Sequence, residues 1–138
     1  MSPASGFHNY RQGKIVQILG DMLNHIGITI VECPIHTSAG TRVPDVAWYF
    51  EDRISPYADE IEYPIAGDIC VEVLSPSNSM AEMEEKRRLF AEKGALEFWI
   101  CSKDGNMRFL DAVTGESMTD SKLCPGFPTY IPNFGKKK

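Results

Sequence analysis

Between His8 and Ile26 the apolar residues Ile15, Ile18, Leu19, Met22, Leu23 and Ile26 recur every three or four positions. That spacing lays one apolar stripe along an amphipathic helix, and Gly27 is expected to end it. ITIVECPI (28–35) and TRVPDVAWYF (41–50) are rich in β-branched and aromatic residues and are joined by HTSAG, so the pair predicts a hairpin. From Glu51 to Tyr63 five carboxylates accompany one arginine and Pro56, which predicts a solvated connecting loop.

DICVEVL (68–74) is a short, nearly continuous apolar run closed by the turn-forming SPSNS, the pattern of a strand buried on both faces. Ser79-Met80-Ala81-Glu82 has the spelling of a capping box and opens a second helix, which Gly94 closes in the left-handed conformation. LEFWIC (96–101) follows as a strand, so strand, helix and strand form a right-handed crossover with the two strands parallel. Asp104-Gly105 is a tight turn into NMRFLDAV, an added antiparallel strand. Beyond Thr114-Gly115 the chain reads as irregular and ends in a frayed lysine tail. The whole is a single α/β domain over residues 1–138, with a mixed β-sheet flanked by helices.

Composition narrows the function. The net charge is −5, which argues against a protein that grips nucleic acid through a broad basic surface, although one local, metal-neutralised phosphodiester contact remains compatible with it. No apolar stretch approaches the roughly 18 residues of a membrane span, and the N-terminus lacks the pattern of a secretory signal, so no membrane association and a cytoplasmic location are expected. Cys33, Cys70, Cys101 and Cys124 are widely spaced, with no C-x-x-C pair, and read as reduced thiols.

Three polar residues stand where composition does not explain them. Glu72 is flanked by Ile69, Cys70, Val71, Val73 and Leu74, so a carboxylate is pressed into an apolar sheet. It needs a side-chain cation, a bound metal, or a strand end open to solvent. Asp45 follows Pro44, which lacks an N–H for the ladder and therefore marks a strand edge, start or bulge; the alternative role for Asp45 is to cap a local turn. Lys86 falls between Leu89 and Phe90 on the inward stripe that Met83 also defines, whereas Glu84, Glu85, Arg88 and Glu92 point away. From Ser79 to Lys86 the helix returns about 10 Å, and Glu72 lies about 7–10 Å back along the strand. Lys86 is therefore expected level with Glu72.

Two carboxylates from neighbouring strands and a lysine suit Mg²⁺ or Mn²⁺, hard cations that accept one or two carboxylates and keep their waters. Such an ion can polarise a phosphodiester while the lysine orients water or stabilises developing charge. No Walker A loop, G-x-G-x-x-G, G-x-S-x-G or H-E-x-x-H competes with this constellation. His25 and His36 read as ordinary polar residues, Trp48 and Trp99 as core aromatics, and Ser75 and Ser77 as turn formers.

The segments SPASGFHNYRQGKIVQIL, TRVPDVAWYF, DICVEVLSPSN, EEKRRLFAEKGALEFWI and the late PGF (125–127) together carry a resemblance. The chain resembles the Uma2 family of putative restriction endonucleases, within the PD-(D/E)xK nuclease superfamily. The resemblance implies a restriction-endonuclease-like core, with Asp45 at the motif aspartate and Glu72 at the motif glutamate. Two positions after the glutamate, where the superfamily usually has lysine, stands Leu74; the lysine of this family matches Lys86 on the following helix. The first helix of such folds often adds a polar group to the site, and His8 and Gln12 are the early candidates, read as supporting residues. Family members carry a further segment ahead of SP-x-S-x-x-H, with which this sequence opens. The implied function is Mg²⁺- or Mn²⁺-dependent hydrolysis of DNA phosphodiester bonds, with Asp45 and Glu72 as metal ligands, Lys86 as the charge-stabilising group and a homodimer as the analogous assembly. The alternatives are a catalytically inactive binding or assembly module in which Lys86 and Glu72 form a buried ion pair, and a hydrolase of another phosphate ester.

Overall fold

The computed structural model describes residues 6–135; the segment ahead of Gly6 and the lysine tail at 136–138 lie outside the described residues. Helix α1 (Gly6–Leu23) buries Ile15, Leu19 and Leu23, the stripe expected of it. It ends three residues before Ile26, because the Asn24 and Ile26 amides donate to the Gly20 and Leu23 carbonyls in a turn that leaves Ile26 exposed. Gly27 consequently opens strand β1 (Gly27–Val31) rather than closing the helix. A β-carbon at Gly27 would fall inside the indole of Trp48.

The predicted hairpin forms with an interruption. Strands β2 (Ile35–Thr37) and β3 (Gly40–Arg42) make a small ribbon of their own, and β1 pairs antiparallel with β4 (Val46–Phe50). The break falls where Glu32 takes a positive φ of 46° and Pro44 withholds an amide, and the Glu32 N–H donates to the Asp45 carbonyl at 2.9 Å to hold the two sides together.

The acidic segment from Glu51 is more ordered than its charge suggested. It forms the short helix α2 (Glu51–Ile54) and a 3-10 turn (Ser55–Tyr57), with Ile54 buried. Arg53 anchors it, donating to Asp68 Oδ2 at 3.0 Å and to the Ala66 and Lys93 carbonyls. The loop expectation missed this because its carboxylates lie on the exposed side, while one isoleucine and one arginine do the packing.

Strand β5 (Ile69–Val73) is buried along its whole length, as the apolar run required. Helix α3 (Met80–Glu92) starts at the expected capping box: the Ser79 hydroxyl accepts the Glu82 N–H, and the Glu82 carboxylate accepts the Ser79 N–H. Gly94, with φ of 101°, closes it. Strand β6 (Glu97–Cys101) then runs parallel to β5, and β7 (Met107–Asp111) returns antiparallel. The two-residue strand β8 (Ser117–Met118), in the region read as irregular, completes a mixed sheet ordered β1-β4-β5-β6-β7-β8.

Alternation along the strands divides the core in two. Val46, Trp48, Ile69, Val71, Val73 and Trp99 pack with α1 and the C-terminal Cys124, Phe127 and Ile131. Ala47, Tyr49, Cys70, Phe98 and Ile100 pack on the other face with Met83 and Phe90 of α3. All four cysteines are free and buried, and burial pushes the thiols of Cys33, Cys101 and Cys124 up to about 11. Among the described residues no helix is long and apolar enough to cross a membrane.

Candidate active site

The antiparallel register of β4 and β5 places Val46 opposite Val71. Asp45 directly precedes β4 and Glu72 directly follows Val71, and the Asp45 carboxylate is near enough for its charge to act on Glu72. Glu72 alternates with Val71, which packs toward α1, and so projects to the α3 face. The break at Pro44 puts Asp45 at the end of the ladder. Its Oδ2 accepts the Val73 N–H at 2.7 Å, so the carboxylate leans back onto the strand that carries Glu72.

Lys86 arrives from the helix. Its side chain lies on the inward face of α3, as the stripe of Met83, Leu89 and Phe90 required, and its Nζ donates to Glu72 Oε2 at 3.2 Å. The Glu72 side chain is 6% exposed and that of Lys86 23%, so the glutamate is sunk in the sheet while the lysine reaches it from the opening. Leu74, two positions after Glu72, is half-buried and packs in the α3-side core.

Electrostatics couple the group. Burial raises the Glu72 carboxyl to about 8; the Lys86 charge opposes that rise and the Asp45 charge adds to it. Asp45 is also raised by burial, against the lowering effects of the Val73 amide, His8 and Lys86. Both carboxyls therefore hold protons more tightly than free ones, the behaviour of acidic groups that lack sufficient positive charge.

His8 completes the surroundings. Its Nε2 lies 3.4 Å from Asp45 Oδ2, so the first helix does contribute to this corner of the molecule. Its position was legible: His8, Gln12, Ile15 and Leu19 fall at intervals that keep them on one helical face, and Gln12 is buried like the two apolar residues. Trp48 and Trp99 are core residues. His36 pairs with Glu62 at 3.2 Å, His25 is exposed, and Ser75 and Ser77 lie in the turn that Asn78 closes by accepting the Ser75 N–H.

The donor set fits a hard divalent cation with a partly aqueous shell. Asp45 and Glu72 each engage a protein donor through one oxygen, and among the described residues neither Asp45 Oδ1 nor Glu72 Oε1 accepts a hydrogen bond. Among the described residues no three His, Cys, Asp or Glu side chains group to hold a metal, so a protein-enclosed cage of the zinc type is not offered here. Two carboxylate oxygens with waters suit Mg²⁺ or Mn²⁺.

Residues 1–114 match the profile of the Uma2 family, described as "putative restriction endonuclease". The chain belongs to the Uma2 family. Among solved structures this Uma2 chain is similar to a putative nuclease belonging to DUF820 from Anabaena variabilis ATCC 29413, a crystal structure at 1.96 Å. The TM-score is 0.72 at 19% identity, over 85% of this chain and 68% of that one. The likeness is one of fold, and it agrees with the α/β architecture of a mixed six-stranded sheet with flanking helices. No curated protein matches the chain.

Proposed function

We propose that this Uma2 protein is a Mg²⁺- or Mn²⁺-dependent endonuclease that hydrolyses DNA phosphodiester bonds at the corner formed by Asp45, Glu72 and Lys86. The observation that carries the reading is the convergence of two proton-retaining carboxylates, Asp45 just ahead of β4 and Glu72 on β5, with a lysine delivered by α3. The family's description as a putative restriction endonuclease supports the choice of DNA as substrate.

Asp45 and Glu72 would hold the ion. When bound, it neutralises phosphate charge and lowers the pKa of water nearby. The chain's own residues supply the rest. The Val73 amide fixes Asp45, the apolar sheet around Glu72 excludes water and strengthens each charge interaction, and Lys86 holds positive charge beside the place where phosphorus becomes more negative. Lys86 also keeps Glu72 partnered when no ion is present.

Supercoiled plasmid incubated with Mg²⁺ or Mn²⁺ tests the reading. Nicking that EDTA stops, and that Asp45→Asn, Glu72→Gln and Lys86→Ala each abolish, is the expected result; nicking that survives all three substitutions sinks it. The direct Lys86–Glu72 contact favours one second reading, a non-catalytic binding or assembly module in which the pair is a closed structural bridge. Calorimetric titration with Mn²⁺ separates the two, since a closed bridge gives no carboxylate-dependent heat.

A further inference from the structure

We propose that His8 is a positioning residue that holds Asp45 by one oxygen and thereby commits the other to the cation. The inference rests on the reading of Asp45 and Glu72 as cation ligands and adds how one of them is set.

Asp45 sits in the break between β3 and β4, where Pro44 removes a ladder amide and regular pairing does not fix the side chain. Two groups compensate, and both reach the same oxygen. Val73 N–H approaches Oδ2 at 2.7 Å from β5, and His8 Nε2 lies 3.4 Å from Oδ2 on the side of α1. One comes from the sheet and the other from α1.

A carboxylate tied at one oxygen from two directions cannot rotate about its terminal bond without breaking at least one contact. Its second oxygen therefore keeps a fixed direction. Among the described residues Oδ1 accepts no hydrogen bond, which leaves it available as a ligand. The His8 side chain is only 12% exposed, so its ring is held by packing and its aim at Asp45 does not depend on a loose surface rotamer. Outer residues that orient ligating carboxylates in this way typically contribute about 10- to 100-fold in metal affinity.

The test compares wild type, His8→Ala and His8→Gln by two measurements. The glutamine keeps an N–H donor at the end of a side chain of similar reach. Calorimetry with Mn²⁺ should show binding weakened about tenfold or more in His8→Ala and largely recovered in His8→Gln. Amide exchange of Val73, whose N–H depends on the same Asp45 oxygen, should quicken in His8→Ala and slow again in His8→Gln, with no metal present. Wild-type Mn²⁺ affinity and Val73 exchange in His8→Ala would overturn the proposal while leaving the proposed function intact. Wild-type protein that takes up no Mn²⁺ would overturn that function and the ligand half of this inference together, and Val73 exchange would then decide alone whether His8 holds Asp45. Unfolding of His8→Ala shifts the decision to His8→Gln, where Val73 exchange and Mn²⁺ affinity unlike those of wild type would count against the proposal.

Discussion

Lys86 Nζ lies 3.2 Å from Glu72 Oε2, joining the middle of α3 to a glutamate buried in the central strand β5. Under the proposed function Lys86 has two duties that a substitution can pull apart. As a counter-ion it would compete with a divalent cation for Glu72, and as a charge-stabilising group it would assist hydrolysis. Lys86→Ala should therefore lose DNA hydrolysis by about 100-fold or more while Mn²⁺ affinity stays equal or becomes tighter. Glu72→Gln should lose both. Calorimetry paired with plasmid nicking checks the split, and a large drop in Mn²⁺ affinity for Lys86→Ala would contradict it.

The raised Glu72 carboxyl makes a prediction about pH. Burial lifts it from an ordinary 4.5 to about 8, so between those values the folded chain binds more protons than the unfolded chain. Its contribution to stability is fully present below about pH 4.5 and is lost as pH rises through about 8. Asp45, raised by the same cause, adds a decline of the same sign. In EDTA, wild-type stability in urea should fall across this window by a few kcal/mol, and Glu72→Gln should flatten the fall. Comparing slopes avoids the separate cost of leaving Lys86 without its partner. Parallel pH profiles for the two proteins would show that Glu72 is not the group responsible.

Glu72 and Lys86 could be paired from sequence because a helix following a strand must run back beside it, and the rises per residue then fix which positions are level. Asp45 was identifiable as unusual, but its place beside Glu72 depends on the break at Glu32 and Pro44, which alternating hydrophobicity does not encode. The same break divided the predicted hairpin. Helix α2 escaped notice because its packing depends on Ile54 and on an arginine that binds Asp68 from fifteen residues away, and no local pattern carries that information. The two residues of β8 are too few to show a period.

Ser79 tests how far the start of α3 governs the site. Its hydroxyl accepts the Glu82 N–H at 3.1 Å, and Lys86 lies about two turns further along. Ser79→Ala should cost about 1 kcal/mol of stability. The inward stripe of Met83, Leu89 and Phe90 still seats the helix, so hydrolysis at a temperature well below unfolding should remain within a few-fold of wild type. Chemical denaturation and initial nicking rates measure the two effects; loss of activity on the scale of Lys86→Ala would mean that the cap itself positions the lysine.

A second buried glutamate, Glu97, contrasts with Glu72 in how its oxygens are occupied. Glu97 Oε1 accepts the Trp99 indole N–H at 2.8 Å and the Ser121 hydroxyl at 2.7 Å, while Oε2 accepts the Lys122 and Leu123 amides, both at 2.9 Å. With both oxygens occupied by donors of the chain, it has no spare lone pair directed at a ligand and instead fastens the C-terminal segment to β6. Glu97→Ala strands four donors, two of them backbone amides, and should destabilise the fold by about 3 kcal/mol or more. The loss should be uneven: exchange at the Lys122 and Leu123 amides should accelerate well before exchange at Val73, because Asp45 and β5 keep their own partners. Equal acceleration at all three amides would show that the C-terminal segment and the β5 corner open as one unit, and the separation of the two glutamates' roles would then fail.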